Sequence, residues 1–466
     1  MKKFTGLIVL ITLLITVAVI TGIIFSNRSF DVGIYRNGGV FRHIDILTSK
    51  EYNGKLTGSE GNWSALRYIE NYFRDLGIKP AGENGTYYQK FMTLVPDIDK
   101  EPVFIIKDES GGTVIDLTMY KDYKAVTSFN GGGVDFKGEL IFVESNLYRL
   151  DPALIEDRIV VITAINIKPE YIDYVRDNGG KGILNNADES MYAFSKYHEL
   201  EKDVSNWTKN GETIFAAYIS NKIYQEMLKH ANEYESEESI KPLAILENTE
   251  IKVDIGFPIK ETANIMGKIE GKANNGRYLI ISANIDGAGE GTDGRHFPGA
   301  ISGTNGLALM METARVIANQ SNLPFETIIF AGWNGQKQQF SGSEYYLEHW
   351  IYPPDKTTII HLDDIGYETF EGLKISSESI LSGILKDKVS NIAEDLGIKT
   401  AKVFPYYSPA TRFADYGAEG IMLGDVFYMQ DYYYDNSGNT DNRSLQNAAI
   451  VLLNFIKRET FRDTFP

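Results

Sequence analysis

The chain predicts an α/β architecture on a mostly parallel sheet, with a smaller β-rich lobe inserted ahead of it and a transmembrane helix at the amino terminus. Three observations carry this. From Ile251 onward the runs "YLIISAN", "ETIIFAGW", "TTIIHLDDIG" and "EGIMLGDV" alternate with helical segments, as strands and crossover helices do. Between about Val126 and Lys241 the pattern changes to closely spaced strands with little helix. The extreme N-terminus places Lys2 and Lys3 before an uncharged apolar run that ends at Phe25.

At ~1.5 Å per residue that run nearly spans a hydrocarbon core of ~30 Å. The following "SNRSFDVG" lacks a small-x-small cleavage signature, so residues 6–26 read as an uncleaved signal anchor. Positive charge ahead of it puts residues 1–5 in the cytoplasm, making the chain a single-pass protein of the cell membrane with its bulk extracytoplasmic. Residues 27–125 then begin the main lobe. There "NWSALRYIENYFRDLG" sets Leu66, Ile69, Tyr72, Phe73 and Leu76 on one helix face, and Gly77 stops it. The insert takes 126–245, with strands at "GGGVDFKGELIFVES", "RIVVITAIN" and "KGILNNAD" and a short helix at "PEYIDYVRDNGG". The main lobe resumes over 246–466, where Leu307, Met310, Met311, Ala314, Ile317 and Ala318 form the stripe of a helix packed on a sheet.

Composition narrows the function. At 466 residues, 43% hydrophobic, the chain is long enough for two or three domains of ~150 residues. A net charge of −17 opposes a nucleic-acid surface, because phosphates would be repelled. With 0 Cys there are no disulfides and no thiolate chemistry, and with 6 His any metal would depend largely on carboxylates.

In open α/β sheets ligands bind beyond the carboxyl ends of the strands. That rule marks one rim. Asn284 and Asp286 end the first strand, Trp333 to Lys337 follow the second, Asp363 ends the third, and Asp435 lies beyond the fourth.

These residues, with "LTGSEGNWSALRYIENYFRDLGIKPAGENGTYYQKF" and "ETANIMGKIEG", make the chain similar to the di-zinc aminopeptidases of metallopeptidase family 28. That family includes bacterial leucyl-type aminopeptidases, glutamate carboxypeptidase and the catalytically silent transferrin receptor. The resemblance implies a three-layer α/β/α zinc-exopeptidase-like lobe, and the insert resembles a protease-associated domain. It also exposes departures at the site. Where the family has AHxD this chain has "ANID", so a zinc-binding His becomes Asn284 while the supporting carboxylate stays as Asp286. Where it has PGADDNASG this chain has "PGAISGTNG", and the bridging carboxylate becomes Ser302. Where it has EExGLxGS this chain has "QKQQFSGS": the general base becomes Gln336 and a zinc-binding Glu becomes Lys337. Asp363 in "IHLDDIG" keeps its ligand identity, and the last ligand position, a His in the family, aligns with Asp435.

The resemblance thus implies a scaffold without its chemistry. Ser302 is neutral and cannot offset two cations, an amide cannot take a proton from water, and an ammonium at Lys337 competes with a metal. The expectation is a pseudopeptidase with no cofactor, whose rim binds a peptide or protein partner and whose Lys337 pairs with Asp363 and Asp435. The alternative is an active exopeptidase or amidohydrolase whose zinc is held by His296, His361, Asp363 and Asp435, since three protein ligands suffice for catalytic zinc.

Other signals read as structural. Gly289, Gly291 and Gly294 spell GxGxxG after a strand, but no helix opens at once, so a loop is expected. Asp435, Ser437, Asn439 and Asp441 alternate like a hard-cation loop but have Thr440 where glycine is required, so an Asx-rich turn is expected. Ser343 lacks a nucleophile elbow. The aromatic run "FYMQDYYYDN" either lines a recognition pocket or packs under a loop.

Overall fold

The computed structural model describes residues 30–98, 101–119, 121–126, 131–143, 146–164, 167–187, 213–233, 244–273, 275–291, 294, 296–366, 372–377, 380–402, 408–424 and 435–461. The apolar run over 6–26 lies outside these. Among the described residues no helix is long and apolar enough to cross a membrane.

The described chain opens with helices α1 (Asn37–Leu47) and α2 (Glu60–Asp75). Helix α2 starts where Ser59 accepts a hydrogen bond from the Asn62 backbone, and Leu66, Ile69 and Phe73 are buried on the expected face. Strand β1 (Tyr88–Leu94) follows. The inserted lobe then contributes β2 (Val103–Lys107), β3 (Val134–Val143), β4 (Ile159–Thr163), α3 (Pro169–Asp177), β5 (Gly182–Ala187), β6 (Ile214–Ser220), α4 (Asn221–His230) and β7 (Ala244–Val253). The main lobe resumes with β8 (Ile259–Ile269), β9 (Tyr278–Asn284), α5 (Asn305–Ala318), β10 (Thr327–Trp333), α6 (Ser341–Glu348) and β11 (Thr357–Leu362). It closes with β12 (Leu373–Ser376), α7 (Ile380–Asp395), α8 (Pro409–Asp415), β13 (Glu419–Leu423) and α9 (Asn442–Thr460).

In the main sheet the order runs β8-β10-β9-β11-β13-β12, with β1 paired to β8. Strands β10, β9, β11 and β13 are parallel, β8 is antiparallel to β10, β12 is antiparallel to β13, and Thr400–Lys402 pairs parallel to β12 at the edge. Alternating side chains of the parallel strands enter two different cores. Leu279, Ile281 and Phe330 pack with α1, α2, α5, α7 and α9, whereas Ile280, Ile329 and Trp333 pack with α6 and α8. A sheet covered on both faces requires apolar residues at both parities, which is why these strands read as unbroken apolar runs.

The second sheet is mixed, not a simple β meander. Strands β3, β4, β5 and β6 are mutually parallel, and β7 lies antiparallel between β2 and β3. Its strands come from Val103 to Val253, wider at both ends than the expected 126–245. Thr113–Asp116 and Tyr123–Ala125 belong to it as well, because pairing places them there and a single strand's sequence does not say which sheet it joins.

Candidate functional site

The carboxyl ends of β9, β10 and β11 meet at one rim. The parallel register sets Asn284 beside Trp333 and Ala283 beside Leu362, which brings the residues after each strand together. Asn284 Nδ2 donates to Asp363 Oδ2 at 3.0 Å, and Gln336 Nε2 donates to the same oxygen at 3.2 Å. His361 stands behind them, its Nδ1 3.0 Å from Ser282 Oγ and its Nε2 3.7 Å from Asp363 Oδ2. Gly424 lets β13 pass this close: at φ 143° it would place an added Cβ 1.5 Å from the Asp363 carbonyl oxygen.

Asp286 anchors the β10 turn. Its carboxylate accepts from the Gln336 and Lys337 backbone N–H groups at 2.9 and 3.0 Å. Burial pushes its pKa up, and those two bonds and the Lys337 charge pull against it. The turn itself is held from behind by buried amides. Asn334 and Asn62 exchange side-chain bonds at 2.9 and 3.0 Å, Asn334 Nδ2 also donates to Thr262 Oγ1, and Asn264 Oδ1 accepts from the Asn334 backbone. Gln339 and Phe340 take positive φ of 61° and 59°, a conformation that the surrounding bonds must impose on non-glycine residues. Gly342 fits because an added Cβ would lie 2.3 Å from Asn264 Oδ1.

Asp435 makes the second half of the rim. It accepts from Ser302 Oγ at 2.6 Å, from the Ser302 backbone at 3.0 Å and from the Ile301 backbone at 2.6 Å. The irregular turn Ala300–Thr304 presents these donors, and its Gly303 lies beside the Asn284 and Asp286 backbone. Burial raises the pKa of Asp435, with the Ser302 hydroxyl opposing.

A cation that sequence reasoning missed completes the site. Lys55 is 1% exposed, and its Nζ donates to the carbonyls of Leu47 and Pro298, both at 3.1 Å. Burial lowers its pKa to about 8, against the pull of Asp435 and Asp286. The Lys55 charge acts on Asp435, and that of Lys337, itself 6% exposed, acts on Asp286. Lys55 stands immediately before the "LTGSEG" segment. Only its unusual place in a buried loop, closed by the Gly287 N–H to the Lys55 carbonyl, distinguishes it from a surface lysine.

These residues do not fit a pair of zinc ions. The two carboxylates that face the rim are each engaged by neutral donors, and Ser302 acts as a donor to Asp435 where a bridging carboxylate would have to accept two metals. Nor is the alternative metal set assembled: among the described residues no three His, Cys, Asp or Glu groups cluster so as to hold a metal. His361 and Asp363 are neighbours, but His296 Nε2 lies 3.3 Å from the Thr48 carbonyl and Asp435 is occupied by Ser302. The hard-cation pattern also disperses, since Asp441 caps α9 through the Arg443 and Ser444 backbone. Ser343 is buried and donates to the Phe340 carbonyl. Gly289 donates to the Gly54 carbonyl in a loop, as expected. Residues 427–434 of the aromatic run lie outside the described residues.

Known proteins share this α/β lobe. The family model "Peptidase family M28" matches residues 264–456. Zinc aminopeptidase BSAP from Bacillus subtilis superposes with a TM-score of 0.67 at 13% identity, over 93% of this chain and 97% of that one. An aminopeptidase from Aneurinibacillus sp. strain AM-1 gives 0.65 at 15% identity, over 92% and 95%. Transferrin receptor protein 1 of Gallus gallus is 32% identical over 104 residues, which is 21% of this chain and only 12% of the receptor. Residues 264–456 are thus similar to peptidase family M28, and the chain has the fold of these aminopeptidases.

Proposed function

We propose that this chain is a membrane-anchored, extracytoplasmic M28 homologue that has lost hydrolysis and uses its rim to hold a peptide or protein. The observation that carries the reading is that two amides donate to one carboxylate oxygen of Asp363, while its other oxygen accepts from the Asp364 backbone. Turning their nitrogens onto the carboxylate directs their oxygens away from it, and Asn284 Oδ1 and Gln336 Oε1 are buried without a hydrogen-bond partner among the described residues. Buried acceptors left unmade are costly, so the rim favours a ligand rich in N–H donors, as a peptide is. The general-base position offers no group that exchanges a proton near neutral pH. The N-terminal run over 6–26 supplies the anchor, and the inserted lobe has the place in the chain of a protease-associated domain.

The direct test incubates the purified full chain with zinc and a panel of aminoacyl anilides. No turnover above the protein-free rate is expected. Cleavage that a chelator abolishes would overturn the reading in favour of a working metallopeptidase.

A further inference from the structure

On the anchor reading, the point where the chain leaves the bilayer sets which way the rim points. The described chain begins at Phe30, and the expected anchor over 6–26 ends four residues before it, a stretch that reaches at most about 14 Å. Phe30 is itself tied down. Its ring meets Phe461 at 4.7 Å, the Asp31 N–H donates to Gln320 Oε1 at 2.8 Å, and Gln320 Nε2 donates to the Asp31 carbonyl at 3.2 Å. On the anchor reading, the chain therefore leaves the bilayer within that reach of the loop that starts at Gln320.

That loop carries two exposed apolar side chains, Leu323 at 55% and Phe325 at 40% exposure. It is braced from both sides: the Phe325 N–H donates to Thr460 at 2.5 Å, Lys272 donates to Pro324 at 2.9 Å, and Ala273 donates to Phe325 at 2.8 Å, all onto backbone carbonyls. Exposed Lys272 and Arg277 flank it on the neighbouring turn, Arg277 paired with Glu326 of the loop at 3.4 Å. Apolar tips beside basic side chains suit the boundary between headgroups and acyl chains.

Loop and turn lie at the amino ends of β9 and β10, which begin at Tyr278 and Thr327. Asn284 and Gln336 lie at the carboxyl ends of the same strands. Seven residues at ~3.3 Å per residue separate the two edges by about 20 Å.

We propose that the loop Gln320–Glu326 beds into the surface of the bilayer that holds the anchor, with Leu323 and Phe325 entering it. The rim then faces away from the membrane, open to soluble partners. This rests on the anchor reading given above, and the test separates the two.

The chain has 0 Cys, so single cysteines label cleanly. The full chain, as Leu323→Cys or as Asn439→Cys beside the rim, is reconstituted into phosphatidylcholine and phosphatidylglycerol vesicles carrying nitroxide-labelled lipid, with an environment-sensitive fluorophore on the cysteine. Quenching of roughly twofold at 323 and none at 439 is expected. An integrated chain with 323 unquenched, or with both sites quenched alike, overturns the orientation alone. Disulfide formation between two chains at 323, with no lipid quenching, overturns it in favour of a second copy. A chain that alkaline carbonate washes from the vesicles overturns the anchor reading and the orientation with it.

Discussion

Asn284 and Gln336 aim their amide nitrogens at one oxygen of Asp363, at 3.0 and 3.2 Å. Asn284→Ala withdraws one of these donors from a carboxylate that is 1% exposed, so a loss of about 1–3 kcal/mol is expected by urea denaturation. The chemistry that separates this rim from a zinc site is also reversible on paper. The combined variant Asn284→His, Ser302→Asp, Gln336→Glu and Lys337→Glu is expected to gain a Tm that rises with added zinc and falls with chelator, while the parent's Tm stays flat. Zinc stabilisation of the parent would count against the account. Most of these positions were legible in the sequence because parallel strands deliver their last residues to a common edge. Lys55 was not, because "EYNGK" reads as a polar loop and its burial arises from a fold-back onto Gly287 and Pro298, far along the chain.

Among elements, the turn between β10 and α6 depends on support it does not contain. Asn334 gathers bonds from α2, through Asn62, and from β8, through Thr262 and Asn264. Asn334→Ala orphans several buried partners at once and is expected to cost about 2–3 kcal/mol, read by thermal melting, against less than 1 kcal/mol for a surface change such as Glu348→Ala. A second element-scale effect lies in α1. His43 is buried, its Nδ1 2.7 Å from the Tyr68 hydroxyl, and burial lowers its pKa to about 4, with Arg42 and Arg315 adding to the shift. The unfolded chain takes up this proton first, near 6.5, so the stability held by neutral His43 is present above that pH and drains away as pH falls toward 4. The full effect is about 3 kcal/mol. Urea midpoints between pH 7 and 4 are expected to fall more steeply in the parent than in His43→Gln. The starts of the main-sheet strands were readable to within a residue, as with "YLIISAN" at Tyr278–Asn284, whereas "TTIIHLDDIG" and "EGIMLGDV" run past the strand ends at Leu362 and Leu423. The insert's limits were not, because Val103–Lys107 alternates like any half-buried strand and only its pairing with β7 assigns it to the second sheet.

For the molecule as a whole, two lobes share the chain and the rim belongs to the larger. Its carboxylates Asp286, Asp363 and Asp435 accept from backbone N–H groups and neutral side chains, and the charges of Lys337 and Lys55 act on Asp286 and Asp435. Fold class followed from alternation of strands and helices, whereas how each carboxylate is satisfied required coordinates, since rotamers and long-range pairings are not written in spacing. The decisive measurement is the zinc content of the purified full chain after equilibration with excess zinc and removal of free metal. The account predicts far less than one zinc per chain, and two zinc ions per chain, removable by chelator, would contradict it.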